Sequence, residues 1–344
     1  MTEEREPARL PWPSLLPWQY EAARAALVRR AAWPHALLIY GAQGIGKHAL
    51  ALNFAQALLC ETPLAEGLAC GECAGCRYAI AGQHPDLMRL ELLVIDPEEG
   101  TLGTVESIGI DRVRALTEFV QLTSHRQRAK VAVIAPAERM NAAATNALLK
   151  TLEEPPPGTH LILVSDQPGR MPATLRSRCQ MFAAPVPERS DAIAWLAAQG
   201  VAAPELALAQ ASGAPMRALV EADPIVQDER RTWLAALAAP ERLSVVRLAA
   251  RIDAGGKDER RVRLAHAVGW LIAWTADLAR IVANDTVRQN PDAAEALQLL
   301  AARVAPIALF RYHRSLLRQR AMQAHPLQPR LVAETLLLDY RALF

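Results

Sequence analysis

The stretch "HALLIYGAQGIGKHALALNFAQALLC", residues 35–60, constrains the fold more than any other. An apolar run from Ala36 to Tyr40 leads into a glycine-rich turn and then a helical pattern from about Lys47. A short buried strand, a glycine turn and a longer helix make a strand–loop–helix unit. Similar strands recur at Val131–Ala135 and Leu161–Ser165. Helical stretches separate them, notably "NAAATNALLKTLEE", which stops at Pro155-Pro156-Pro157. Strands alternating with helices imply an α/β domain with a parallel sheet covered on both faces.

The texture changes after about Pro185. "ERSDAIAWLAAQG" and "PELALAQASGAPMRALVEAD" read as short helices with no strands between them, and from Pro224 the chain reads as helical almost to its end. Leu264, Val268, Leu271, Trp274, Leu278 and Ile281 mark one apolar face at three- and four-residue steps. Asn290-Pro291 is expected to supply a cap and a first-turn proline for the next helix, and "HPLQPR" breaks the chain before a last one. Three parts are expected: an α/β domain over 1–184, a small helical lid over 185–223, and a helical C-terminal domain over 224–344. The alternative merges the last two.

With 51% hydrophobic and 22% charged residues in 344, a sizeable core is available. The acidic, proline-bearing start "MTEEREPARLPW" is unlike a secretory signal. The most apolar stretch, "GWLIAWTADLARIVA", carries charges and falls short of a bilayer span. A soluble cytoplasmic protein is expected. The net charge of +2 gives no bulk electrostatic pointer to nucleic acid. The cations are mostly arginine, so a lysine at position 47, one of four in the chain, argues that the loop is meaningful.

A phosphate-binding loop needs a glycine, four residues, Gly-Lys and a hydroxyl. Gly41, Gly46 and Lys47 fit, with Gly44 between them, but position 48 is histidine. In a working loop the amides and lysine hold phosphates and the hydroxyl ligates Mg²⁺. Imidazole is a poor replacement, because it prefers softer metals. The other reading is a glycine turn that merely joins strand to helix. Such ATPases also place an Asp at the end of a later strand for Mg²⁺, and many add a Glu to activate water. Here "VAVI" is followed by Ala135-Pro136-Ala137, and Glu138 comes later and is expected to point elsewhere. Loss of the hydroxyl and both acids together implies a chain that does not hydrolyse ATP at an appreciable rate.

Cys70, Cys73 and Cys76 lie in a C-x2-C-x2-C run, with Cys60 ten residues upstream. In a reduced compartment this spacing argues for metal rather than disulfides. Four thiolates can close a structural zinc site, folding a glycine-rich excursion that has little apolar content. The iron–sulfur signature that opens the same way continues x3-Cys-Pro, and position 80 is isoleucine. Arg77 is expected to offset the thiolates' charge. Cys60 is the least secure ligand, since it also reads as a buried helix end, and Cys179 reads as a core residue.

These residues, together with "HPD" (84–86), "NALLKTLEEPP" (146–156) and "LRSRC" (175–179), resemble the bacterial clamp-loader AAA+ subunits over roughly residues 20–185. The resemblance implies an AAA+ P-loop domain with an inserted zinc module at about 60–77, a lid, and a collar that holds a hetero-pentamer together. His48, Ala135 and Pro136 depart from the family's gamma/tau motors and are similar to its non-motor member. In the family the arginine of "SRC", here Arg178, reaches into the neighbouring subunit's ATP site. A cation against the γ-phosphate stabilises charge developing in the transition state; Arg176 is the nearest alternative, and a surface arginine ending a helix is the plainer one. The resemblance further implies gamma/tau and delta partners, a sliding clamp and primed DNA reached through the complex, no membrane, and a place in a replicative polymerase holoenzyme without activity of its own. Ser165 stands where a polar sensor is expected. The usual sensor arginine position holds Met216 beside Arg217, and Asn146 and Lys150 lie one turn apart. Two other readings remain: an active motor-type ATPase, and a zinc-dependent nucleic-acid-binding protein.

Overall fold

The computed structural model describes residues 12–95, 102–321 and 328–344, and the chain divides into two compact units, Met1–Asp191 and Ala192–Phe344. The first unit contains strands β1 (Ala36–Tyr40), β2 (Leu87–Glu91), β3 (Leu93–Ile95), β4 (Leu102–Thr104), β5 (Lys130–Ala135), β6 (Thr159–Ser165) and β7 (Gln180–Ala183). Its helices are α1 (Tyr20–Leu27), α2 (Lys47–Leu59), α3 (Ala74–Ile80), α4 (Ile110–Gln121), α5 (Ala142–Glu153) and α6 (Ala173–Arg176). Five strands form one sheet in the order β2-β5-β6-β1-β7, every pairing parallel, while β3 and β4 form a separate antiparallel pair.

The three inner strands are apolar because both of their faces are covered. Leu37 and Ile39 of β1, Val131 and Val133 of β5, and Ile162 and Val164 of β6 share a core with α2. The alternate residues Ala36, Leu38, Ala132, Ile134, Leu161 and Leu163 join Leu116, Leu148 and Leu152 of α4 and α5 on the other side. This two-residue alternation, apolar on both sides, is the signature of a doubly covered parallel sheet. α2 is buried along most of its length, including Phe54, which meets Trp33 and Phe182 edge to face at 5.0 and 5.6 Å.

"HPD" is structural. The Asp86 carboxylate, fully buried, accepts from Ser124 Oγ and the amides of His125 and Arg126, and pairs with Lys130 at 3.3 Å. His84 Nδ1 accepts from the Asp86 amide at 3.0 Å. The pair therefore ties the start of β2 to the loop that feeds β5.

The second unit is helical: α7 (Arg189–Ala198), which begins just before it, α8 (Pro204–Gln210), α9 (Pro215–Glu221), α10 (Pro224–Leu237), α11 (Val245–Ala250), α12 (Lys257–Val282), α13 (Ala294–Ala301), α14 (Pro306–Ala321) and α15 (Pro329–Arg341). It contains two separate cores. A small one joins Ala192, Leu196, Leu208 and Ala218; a large one is built around Trp233, Trp274, Leu278, Leu316 and Tyr340. Leu264, Val268, Leu271, Trp274 and Leu278 of α12 face the large core as expected, and Ile281 packs at its edge.

Asn290 does not cap the following helix. Its side chain accepts from Arg230 at 2.7 Å and donates to Asp277 at 3.0 Å, while only a 3-10 turn begins at Pro291. A buried guanidinium and a buried carboxylate are stronger partners than the free amides of a three-residue turn.

Tyr340 closes the large core. Its hydroxyl accepts from Trp274 Nε1 at 2.9 Å and donates to the Leu237 carbonyl at 2.8 Å, and burial raises its pKa. Tyr340→Phe leaves a buried donor and a buried acceptor unpaired, so it is expected to destabilise the helical unit by about 1–3 kcal/mol. Chemical denaturation followed by tryptophan fluorescence checks this, and an unchanged midpoint refutes it.

Candidate functional site: a glycine loop and a cysteine cluster

The loop joins the C-terminal end of β1 to α2, at the edge where parallel α/β sheets bind ligands. Gly44 and Gly46 have φ of +80° and +91°, a conformation that favours glycine. At Gly46 there is also no room: an added Cβ would lie 2.1 Å from Leu16 Cδ1 and 2.8 Å from Gln19 Nε2. The segment before α1 is therefore packed onto the loop. Trp18 Nε1 donates to the Ile45 carbonyl at 3.0 Å, and Gln19 Nε2 donates to the Gly46 carbonyl at 2.8 Å.

Lys47 is turned inward and is 3% exposed. Its ammonium lies 2.6 Å from Asp166 Oδ1 and donates to the loop's own Ala42 carbonyl at 2.5 Å. The group that would hold phosphate in a working loop is thus neutralised from within. Asp166 follows β6 directly, and its amide donates to Glu138 Oε1 at 3.0 Å. A 3-10 turn (Ala137–Arg139) after β5 brings Glu138 across the end of the neighbouring strand, where one carboxylate oxygen is spent on that amide.

His48 is committed too. Its Nε2 lies 2.9 Å from Glu91 Oε1, and Arg89 grips the same carboxylate at 2.6 and 2.9 Å. Burial works to raise the Glu91 pKa, but hydrogen bonds from His48 and Arg89 outweigh it and hold it at about 2. The side chain at the position of the loop hydroxyl is therefore held by a hydrogen bond to β2.

Arg178 sits between α6 and β7. Its guanidinium donates to the Thr174 carbonyl at 2.6 Å and pairs with Glu153 at 2.5 Å, while remaining one-third exposed. Partly exposed pairs of this kind contribute about 0–1 kcal/mol, so the arginine is easily released. Arg176 is less free, with a buried Nε. Cys179 is buried, its thiol pushed up to about 11 by burial, and it reads as core. Ser165 is buried and accepts from the Gln167 amide. Arg217 is tied to Glu221 within α9 at 2.6 Å, while Asn146 and Lys150 are solvated.

The four expected cysteines converge. The sulfurs of Cys60, Cys70, Cys73 and Cys76 all lie within 4.8 Å of one another. Three separations are 3.6, 3.9 and 3.9 Å, close to the ~3.8 Å edge of a tetrahedron with metal–sulfur bonds of about 2.3 Å. Cys60 caps the end of α2 and Cys73 caps the start of α3, so two helix ends place two donors. Gly71, at φ +80°, makes the turn between Cys70 and Cys73. The amides of Glu61, Cys70, Cys73 and Cys76 donate to sulfurs at 3.3–3.5 Å, as does Thr62 Oγ1. The Thr62 hydroxyl and neighbouring amides pull the Cys70 thiol down to about 6, while burial pushes Cys60 and Cys76 up. A cation is what would make all four thiolates at once, and this donor set can hold a metal ion.

Arg30 brings a positive charge beside the sulfurs. It donates to the carbonyls of Leu58 and Cys60 and feels both Cys60 and Cys76. Arg126 and Arg128 fasten Glu61, and Arg126 lies over Tyr78, which docks the module on the loop ahead of β5. Asp166, Glu91 and Arg30 were not singled out in the sequence. They meet their partners across 119, 43 and about thirty residues, and no local spacing encodes them.

If Asp166 is what occupies Lys47, Asp166→Asn should tighten binding of a fluorescent ATP analogue by about tenfold, the equivalent of 1.4 kcal/mol. Equal affinities in a side-by-side titration would show that the carboxylate is not the obstacle.

A family model described as "DNA polymerase III, delta subunit" matches residues 23–187. DNA polymerase III subunit delta' of Pseudomonas aeruginosa is 43% identical over 208 residues, which is 59% of this chain and 60% of that protein. That of Haemophilus influenzae is 32% identical over 264 residues, 75% of each chain. DNA polymerase III subunit tau of Escherichia coli is 33% identical over 148 residues, 43% of this chain and 21% of tau. The chain spans about half the length of several curated relatives it matches, 53% of the E. coli delta' and 45% of that from Yersinia pestis. The Haemophilus alignment extends well past the sheet domain, and with it the chain belongs to the DNA polymerase III subunit delta' family.

Proposed function

We propose that this chain is a non-hydrolysing subunit of a clamp loader. It lends Arg178 to the ATP site of a neighbouring gamma/tau-type motor during loading of a sliding clamp onto primed DNA. The observation that carries the reading is the Lys47–Asp166 pair at 2.6 Å. A loop whose lysine is already neutralised has little to offer a phosphate. The absence of acids at Ala135 and Pro136 and the His48–Glu91 pair point the same way. Arg178, in contrast, is held by one half-exposed carboxylate and one carbonyl, and is ready to exchange them for a phosphate.

In this reading Gly41, Gly44, Gly46 and Lys47 serve as architecture. Residues 1–184 are the AAA+ domain, 185–223 a lid and 224–344 a collar; two distinct cores in the second unit support separating the last two. The partners are gamma/tau and delta subunits in a hetero-pentamer, and clamp and DNA are reached through it. Among the described residues no helix is long and apolar enough to cross a membrane, in keeping with work beside the replisome in the cytoplasm. Cys60, Cys70, Cys73 and Cys76 hold a structural zinc: four sulfurs at tetrahedral spacing favour it over harder metals.

Arg178→Ala should leave assembly intact. A trans-supplied arginine contributes on the order of 10³-fold or more, so phosphate release at the adjoining site should fall by about that factor. The measurement uses a reconstituted loader whose other motor sites carry loop-lysine substitutions. Undiminished turnover there removes Arg178 from the role, and robust turnover by this chain alone defeats the whole reading.

Freshly purified, reduced protein should contain about one zinc per chain by elemental analysis. Cys73→Ser should lose the metal and lower the melting temperature of the sheet domain. Metal-free native protein with an unchanged melt would dismiss the site.

A further inference from the structure

We propose that the outward face of α14 binds the phosphate backbone of single-stranded DNA. α14 contains four arginines and no acidic residue, in a chain whose net charge is only +2. Leu309, Tyr312 and Leu316 turn inward to the large core. Arg311, Arg314 and Arg318, at i, i+3 and i+7, therefore share the opposite face, and all three are exposed. Among the described residues none of the three makes a side-chain hydrogen bond or ion pair, whereas Arg280, Arg303 and Arg330 in the same unit are each paired with an acid. Asp339 of α15 makes itself felt at Tyr312, on the buried side of the helix.

The chemistry of this face selects its ligand. Arginine forks match phosphate oxygens bidentately and are weakly hydrated. The row spans about 10 Å of helix, enough for two or three successive phosphates. Phe310 is 49% exposed and sits on the edge of the row. An exposed aromatic beside arginines offers a stacking surface to an unpaired base and none to a duplex, whose bases are already stacked. A protein partner would have to bring acids to match three unpaired guanidiniums, whereas a nucleic-acid strand carries a regular row of them. The low bulk charge of the chain conceals this stripe. The inference goes beyond the proposed role and does not depend on it, because it concerns a different unit and neither Arg178 nor an ATP site.

The test is anisotropy of a fluorescein-labelled oligothymidylate with the full chain across a salt series. Arg311→Ala/Arg314→Ala/Arg318→Ala should weaken binding at least about tenfold and lower the log–log salt slope by about 2, at roughly 0.7 per phosphate. Phe310→Ala should weaken binding to the oligothymidylate several-fold and leave duplex binding unchanged. Arg247→Ala, another exposed arginine of the same unit, should do neither. Thermal melts should coincide, since every substituted side chain faces solvent. Failure of the native chain to bind at low salt overturns the proposal, as do variants with native affinity and slope. If the triple variant instead loses association with gamma/tau subunits while its DNA binding is unchanged, the stripe is a subunit-docking face and the proposal falls.

Discussion

Parallel register between β1 and β6 decides the state of the phosphate loop. Tyr40 lies opposite Ser165, so the chain leaves both strands at the same level: one exit opens the glycine loop, the other delivers Asp166. Lys47, at the first turn of α2, meets that carboxylate across the ends of the two strands. A shift of register would cost every alternating apolar contact of two cores. The ion pair therefore rests on the same hydrophobic pattern that holds the sheet.

Much of this was legible. The inner strands announced themselves because both faces of each are apolar, and β1 begins and ends where the pattern places it. The edge strands β2 and β7 were not, since "LMRLE" and "QMFA" are half-covered and carry charge or exposure where the inner strands have none. Asn290-Pro291 misled for a related reason: capping statistics describe local competition, and two buried charges outbid it.

The sites divide along the same line. Four cysteines within seventeen residues are a local pattern, and helix ends at Cys60 and Cys73 bring them together. What tunes them, Arg30 and the Thr62 hydroxyl, comes from outside the pattern or is invisible to it. The glycines of the loop were legible for the same reason as the cysteines. The partners that close the loop were not, because Asp166 and Glu91 are brought in by sheet topology across long stretches of chain.

Leu16 and Gln19, pressed against Gly46, couple the segment ahead of α1 to the loop. Any side chain at position 46 would have to displace both of them as well as adopt a φ of +91°. Trp18 reaches the Ile45 carbonyl beside them, so three residues of the leading segment grip two consecutive positions of the loop. The loop and the segment ahead of α1 therefore move as one piece, and whatever repositions that segment also reshapes the first turn of α2.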